Sequence, residues 1–549
     1  MKRVFTFLVG GKAGQGVRKA GTVASHLFVD MGRGAFQMDD YPSLIRGGHN
    51  FSVVSTSADE ITSHYMNADL VVALDAASYE VHKDHLVKGG MMVCDSAVSG
   101  AGAITLPISS EAKKYPNPSL ISGVGAVAAL AAAIGLGREG LGGLVEREYK
   151  RGVEDNVAYA LTIYDIAHPQ IGRKFLLEKG ERKGVLLTGN EAIALGAVAG
   201  GLDIYLAYPM TPATSILHYL AAHDKELGIV AVHPENEIAV ANMAIGAAFA
   251  GARTMVASSG GGFSLMQEAF SLAGMAEAPV LFILSSRPGP STGVPTYTEQ
   301  ADLKFAISQG QGEFPRIVSS PGSVEEAFYL AAEMLGMVWK FQTPGVLLTE
   351  KHMAESRKNV GINVEKVTWA EPLLHKGGKY KRYVDTASGV SPMLFPPSDE
   401  LINWSSYEHD KLGVTTENPE QIIRMHDKRR RKLESIMKHM KGMRTVNVFG
   451  EGEPIIFTYG STTMSVLEAL RYGNIKARVV QPIYLEPFPV WEMENYRGRE
   501  SMVVEQSSMG QFASLLKEKA GVNAGAVIKR YDGRPFDPVE LANAIREGI

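Results

Sequence analysis

GNEAIALGAVAGGLDIYLAYPMTPATSI (189–216), HPENEIAVANMAIGAAFAGARTMVASSGGGFSLM (233–266) and APVLFILSSRPGPSTGVPTYTEQADL (278–303) together hold the pattern that decides the fold. Apolar runs at 204–207, 254–257 and 279–284 alternate with small-residue segments of helical character. That alternation marks successive βα units of a parallel sheet. Each run is followed at once by a polar or Gly-rich turn: Tyr208-Pro209-Met210-Thr211-Pro212, Ser258-Ser259-Gly260-Gly261-Gly262 and Arg287-Pro288-Gly289-Pro290. In a doubly wound sheet such turns stand at the carboxyl ends of the strands, where ligands bind.

Outward from this stretch the chain divides into α/β pieces. Its 549 residues suit roughly three to four domains of about 150 residues. Residues 1–172 read as an α/β domain. They open with an apolar strand at 3–9, followed by Gly10-Gly11-Lys12-Ala13-Gly14-Gln15-Gly16-Val17 and a helix over 18–31. A glycine turn at a helix N-terminus can hold an anion. The spacing is not that of the dinucleotide fingerprint, and a tight packing turn explains the glycines equally well. Further strands are expected at 51–56, 70–74 and 90–94, and a buried helix at 120–136. The charged stretch 173–183 is a linker leading to a first strand of the central domain, 184–350. Residues 351–412 lose periodicity and read as an extended connection. The helix that follows, within 351–441, carries Lys428-Arg429-Arg430-Arg431-Lys432, read as a solvated face rather than a phosphate patch. Residues 442–549 form a last small α/β domain.

Composition narrows the function. Hydrophobic residues at 45% and charged residues at 21% suit a globular enzyme, and a net charge of −4 gives no electrostatic footprint for nucleic acid. The apolar runs are too short to cross a bilayer, and the start reads as a first strand rather than a signal peptide, so the expected location is the cytoplasm. The single cysteine, Cys94, leaves no set to ligate an iron–sulfur cluster.

In the central domain four features stand out. Glu235 and Glu237 precede a helix-like run, where an acid also serves as an ordinary dipole or capping partner. Thr211 lies in a proline-framed turn. Residues 258–262 bring backbone N–H groups to a turn. Arg287 ends an apolar strand, where a guanidinium suits a carboxylate or phosphate. Each has a structural explanation; four of them on turns at one sheet edge point to a binding site.

YPMTPATS, ENEIAVANMAIGAAFAGA, SSGGGFSLM and RPGPSTGVPT, in this order, resemble the α subunit of 2-oxoacid:ferredoxin oxidoreductases. GGKAGQGV and SLIRGGHNF resemble the γ subunit of the same enzymes, fused ahead of α. YGSTTMSVLEAL and VVEQSSMGQ resemble the transketolase C-terminal-like domain. The resemblance implies a multi-domain α/β chain: a γ-type domain, a doubly wound pyrimidine-type thiamine-diphosphate-binding domain and the C-terminal domain. It implies thiamine-diphosphate-dependent conversion of a 2-oxoacid and CoA to an acyl-CoA, CO2 and reduced ferredoxin, or the reverse. Glu237 matches the glutamate that bonds N1′ of the aminopyrimidine, general acid–base work that needs direct hydrogen-bond reach. Glu235 is the fallback for a two-residue slip. Thr211 and Arg287 match residues that hold the substrate. Tyr208, Pro209, Ser259, Gly260 and Gly261 are the other expected cofactor contacts, with Gly11, Gly14, Gly16 and Arg46 the candidates for CoA.

What is missing matters too. The chain has no diphosphate-binding GDG-type segment and no cluster cysteines, which in this family belong to the β subunit with Mg2+ and [4Fe–4S]. The resemblance therefore implies a β partner in an α2β2 heterotetramer, with ferredoxin as acceptor. The γ-before-α order favours 2-oxoglutarate; pyruvate, branched-chain 2-oxoacids and a dehydrogenase-type enzyme with another acceptor are the alternatives.

Overall fold

The computed structural model describes residues 4–43, 48–98, 100 and 102–548. The chain forms two compact units, the first from Met1–Leu187, Glu355–Ile362 and Asp537–Leu541, the second from Thr188–Ala354, Asn363–Phe536 and Ala542–Ile549.

The first unit is built on an eight-stranded sheet in the order Ile104–Leu106, Leu86–Asp95, Ala68–Ala73, Val4–Lys12, His49–Ser57, Gly34–Asp40, Arg357–Val360, Val185–Thr188. Val4–Lys12 pairs parallel with Ala68–Ala73 and antiparallel with His49–Ser57. The opening strand thus continues through Gly10 and Gly11 to Lys12, further than its apolar run suggests. Helix Pro118–Ile134 is buried along its whole length from Ile121 onward, as its apolar, charge-free sequence demands. Two strands correct the sequence reading. Val185–Thr188, expected to begin the central domain, joins this sheet, and Arg357–Val360 from the aperiodic connection pairs with Gly34–Asp40.

The second unit holds two sheets. The larger runs Tyr484–Glu486, Ile317–Ser319, Gly345–Glu350, Val280–Ser286, Thr254–Ser258, Ile204–Leu206, Val230–Val232. It is parallel except for its first strand, which is antiparallel to Ile317–Ser319. The three apolar runs are therefore neighbouring central strands, buried on both faces as parallel strands are. The smaller sheet runs Val446–Phe449, Arg478–Pro482, Ile455–Phe457, Ser501–Glu505, Ala526–Lys529. One apolar core joins both sheets, with Phe282, Leu284 and Val346 from the first and Phe457, Val480 and Val503 from the second.

A polar seat fixes their registration. Gln300 donates to the Tyr459 carbonyl at 2.9 Å, and its Oε1 accepts from the Thr462 hydroxyl at 2.9 Å and the Gln506 N–H at 3.0 Å. Glu350, at the carboxyl end of its strand, accepts from the Ser461 N–H at 2.8 Å, and burial pushes it up to about 7.

Helix Pro419–Met440 packs against this unit, and it overturns the solvated-face reading. Lys428, Arg429 and Lys432 are buried, while Arg430 stays exposed. Positions 428, 429 and 432 share one helical face. Lys428 donates to both oxygens of the buried Glu277 at 2.6 and 2.9 Å, Lys432 reaches the same carboxylate, and Arg429 pairs with Glu408 at 2.6 Å. Among the described residues, no helix is long and apolar enough to cross a membrane.

Candidate active site

The turns that end the central strands of the larger sheet converge at one edge. Helix Glu237–Phe249 starts there, after the strand Val230–Val232. Its cap is Asn236, whose side chain accepts from the Ala239 N–H at 2.9 Å. The capping duty is thus filled, and Glu237 is left over for something else. Glu237 is 3% exposed, and its Oε1 is buried with no hydrogen-bond partner among the described residues. An unsatisfied buried carboxyl oxygen costs about 1–3 kcal/mol or more, so it calls for an explanation. Glu235 is exposed. Burial thus separates the two glutamates that the sequence left open.

The Gly-rich turn lies directly against Glu237. A Cβ on Gly262 would stand 2.6 Å from Glu237 Oε1 and 2.0 Å from Ser258 Oγ. Only a glycine leaves the carboxyl its present position. The Ser258 hydroxyl faces Met210 Sδ at 3.8 Å, and the ideal Cβ position of Gly261 is 4.0 Å from the same sulfur. Ser259 is fully buried, and its Oγ has no partner. Gly260 abuts Asp302, whose carboxylate accepts from the Ser286 hydroxyl at 2.8 Å.

Arg287 Nη1 donates to the Thr211 carbonyl at 2.8 Å, so two of the residues singled out from sequence meet. Burial pulls the Arg287 guanidinium down, opposed by the charge of Asp302. Burial also pushes the Asp302 carboxyl up, against the Ser286 hydrogen bond and Arg287. Asn190, fully buried in the first turn of helix Gly189–Ala199, braces the loop from below. Its Nδ2 donates to the Pro212 carbonyl at 2.8 Å and the Ser215 hydroxyl at 2.7 Å. Tyr208 is 38% exposed, its ring 5.7 Å from that of His233, and Pro209 is partly buried. Asn190 and Asp302 are the residues that sequence reasoning missed as members of this edge. The asparagine had a signal, a polar residue amid small apolar ones at a helix start; Asp302 had none beyond proximity to the turns.

In the first unit the glycine turn is accounted for mainly by packing. A Cβ on Gly16 would stand 2.5 Å from the Leu120 carbonyl of helix Pro118–Ile134, and one on Gly11 would stand 2.7 Å from Gln15 Oε1. Gly14, with φ +91°, has only Ser119 Oγ near its Cβ position, at 3.9 Å. Arg46 lies outside the described residues. Among the described residues, no group of three or more His, Cys, Asp or Glu side chains could hold a metal ion.

This arrangement agrees with what the chain is similar to. Residues 195–428 match the family model "Pyruvate flavodoxin/ferredoxin oxidoreductase, thiamine diP-bdg". Residues 6–166 match "Pyruvate ferredoxin/flavodoxin oxidoreductase". A 2-oxoacid:ferredoxin oxidoreductase α subunit of Aeropyrum pernix is 30% identical over 98% of this chain and 97% of its own. The chain belongs to the 2-oxoacid:ferredoxin oxidoreductases. A 2-oxoglutarate oxidoreductase subunit KorA of Mycobacterium tuberculosis is 27% identical over 98% of this chain and 90% of its own. The structure of the 2-oxoglutarate:ferredoxin oxidoreductase of Magnetococcus marinus, with 2-oxoglutarate, coenzyme A and succinyl-CoA bound, superposes with a TM-score of 0.91. It is 28% identical and covers 100% of both chains. The converging turns described above thus belong to the thiamine-diphosphate-binding domain of this oxidoreductase family, and the chain is an oxidoreductase subunit of that kind.

Proposed function

We propose that this chain is the fused γα catalytic subunit of an enzyme that interconverts 2-oxoglutarate and CoA with succinyl-CoA, CO2 and reduced ferredoxin. The observation that carries the reading is the buried carboxyl of Glu237, with an unpartnered oxygen held open by Gly262. Those two residues fit the aminopyrimidine of thiamine diphosphate: a protonated ring nitrogen would satisfy the orphaned oxygen. When bound, the cofactor would supply a nucleophilic carbon for the 2-oxo group and an electron sink for the decarboxylation.

The chain's own part is to hold and move protons and to bind the oxoacid. Glu237 would hold a proton shared with the pyrimidine nitrogen, general acid–base work of the kind worth about 10²–10⁴-fold in rate. Arg287 supplies the cation for the substrate carboxylate, its bond to the Thr211 carbonyl fixes the loop, and the Thr211 hydroxyl is the second group that holds the substrate. Tyr208, Pro209, Ser259, Gly260 and Gly261 line the cofactor. CoA uses the turn around Gly14, with Arg46, while Gly11 and Gly16 shape that turn by packing. A β subunit supplies Mg2+, the diphosphate site and the [4Fe–4S] clusters in an α2β2 assembly, and ferredoxin takes the electrons. The choice of 2-oxoglutarate is supported by the names of the Mycobacterium and Magnetococcus relatives and by the γ-before-α order.

The test is viologen reduction by the chain co-expressed with its β subunit, over a panel of 2-oxoglutarate, pyruvate and branched-chain 2-oxoacids with CoA. A kcat/KM for 2-oxoglutarate at least tenfold above the others is the expected result. Preference for pyruvate or a branched-chain acid would reassign the substrate within the family. Absence of iron from the purified complex would sink the ferredoxin reading.

A further inference from the structure

The loop 309–316 leads into the strand Ile317–Ser319, which starts level with Gly345 at the amino end of the parallel strands. This is the opposite edge of the sheet from Glu237 and Arg287. The loop borders an open cavity of about 760 Å³, lined on its other sides by helix Pro419–Met440 and by Glu486 and Lys519. That volume is in the range of metabolite pockets, roughly 300–1,000 Å³, and is far more than a lone ion needs.

The charges around the cavity are unevenly compensated. Arg430 lies 3.3 Å from Asp427, and Lys519 lies 3.6 Å from Glu486. Arg316 has no carboxylate at ion-pair distance among the described residues. Its Nη1 donates to the Gln309 carbonyl, and its guanidinium carbon sits 4.3 Å from the centroid of the Phe314 ring. Burial lowers the guanidinium below its ordinary value, with only the more distant charge of Glu486 opposing. A partly desolvated cation with no carboxylate in direct contact is unfavourable, and an anion bound beside it would offset that cost. The guanidinium fork matches the paired oxygens of carboxylates and phosphates. Beside it, Gly312 has φ +84° and open space at its Cβ position, so a ligand can approach the backbone there. Glu313, at the mouth, is exposed, and solvent screens its charge.

We propose that this cavity binds a small oxyanionic metabolite, a phosphate ester or a carboxylate, anchored by Arg316 with Arg430 and Lys519 at the rim. It is separate from the reaction edge, so a ligand there acts as an effector rather than a substrate.

Isothermal titration of the purified full chain with its co-purifying subunit tests this, using inorganic phosphate, AMP and succinate as separate probes. The variants are Arg316→Gln, the rim variant Arg430→Gln and Arg287→Ala. Phosphate or AMP binding that is weakened at least tenfold in Arg316→Gln and severalfold in Arg430→Gln, yet kept in Arg287→Ala, supports a phosphorylated effector. The same pattern with succinate supports a carboxylate. Arg430 is exposed, so its variant reports even if Arg316→Gln fails to fold. Three outcomes would overturn the proposal: no probe binds the wild type, both cavity variants bind as tightly as wild type, or binding is lost only in Arg287→Ala. Turnover of Arg316→Gln without a probe should equal that of the wild type.

Discussion

Glu237 and Glu277 are both glutamates buried in the second unit, 3% and 2% exposed, and they are provided for in opposite ways. Glu277 is saturated. Lys428 and Lys432 both donate to it and hold its carboxyl well below the usual carboxylate range, and Arg382 donates to its backbone carbonyl at 2.9 Å. Glu237 sits beside a glycine and a capping asparagine and, among the described residues, has no cation donating to it and one oxygen unpartnered. Burial alone therefore does not mark a functional acid. The saturated carboxylate fastens helix Pro419–Met440 to the domain, whereas the unsaturated one is, in the function proposed above, kept for a ligand.

The largest effect should come from breaking the reactive member. Glu237→Gln keeps the shape but removes the exchangeable carboxyl, and 2-oxoacid-dependent viologen reduction should fall by about 10²–10⁴-fold. Melting temperature and co-purification with the proposed β subunit should stay as in the wild type. Normal turnover would remove Glu237 from the site.

Glu277→Gln should do the reverse. It leaves two buried lysines without their carboxylate, so unfolding by denaturant should show a loss of about 3–5 kcal/mol, the usual cost of breaking a buried pair from one side. Activity per folded molecule should be kept. A variant that lost activity but not stability would erase the contrast.

Arg287→Ala should raise KM for the oxoacid more than it lowers kcat. Loss of a charge-assisted contact worth about 1.5–3 kcal/mol corresponds to roughly tenfold to a hundredfold in kcat/KM. An unchanged kcat/KM would take Arg287 out of the substrate site.

The last effect is a pH slope. Burial pushes Lys432 down from 10.5 to about 7, although Glu277 pulls it up. Between those values the unfolded chain binds more protons at this amine than the folded one. Stability should therefore rise with pH across the window and fall as pH drops towards 7. Lys432→Met should flatten that slope, measured as unfolding free energy at about pH 7 and pH 9. Parallel slopes in variant and wild type would refute the shift.

Much of this edge was legible from residues alone. Apolar runs followed at once by Gly- and Pro-rich turns place 208–212, 258–262 and 287–290 at strand ends, because parallel strands must be apolar on both faces and their turns must reverse the chain into a helix. Residue spacing alone left Glu235 and Glu237 open, since both suit a helix start, and only the family resemblance favoured Glu237; the structure separates them by exposing Glu235 and burying Glu237. The basic run misled for a different reason. Its buried face is set by Glu277, 151 positions away, and a local charge count cannot see a partner at that separation.

The sequence by itself determined the α/β class, the order of strands and turns in the central domain and the residue types at the reaction edge, because periodicity and turn chemistry are local. Only the tertiary structure decided three other things. It assigned Val185–Thr188 and Arg357–Val360 to the first unit's sheet, turned three of five consecutive basic residues inward, and left one oxygen of Glu237 unpartnered beside Gly262. Each depends on what faces a residue across the fold, and the free energy of burying a strand edge or a charge is settled by that neighbour rather than by the chain on either side.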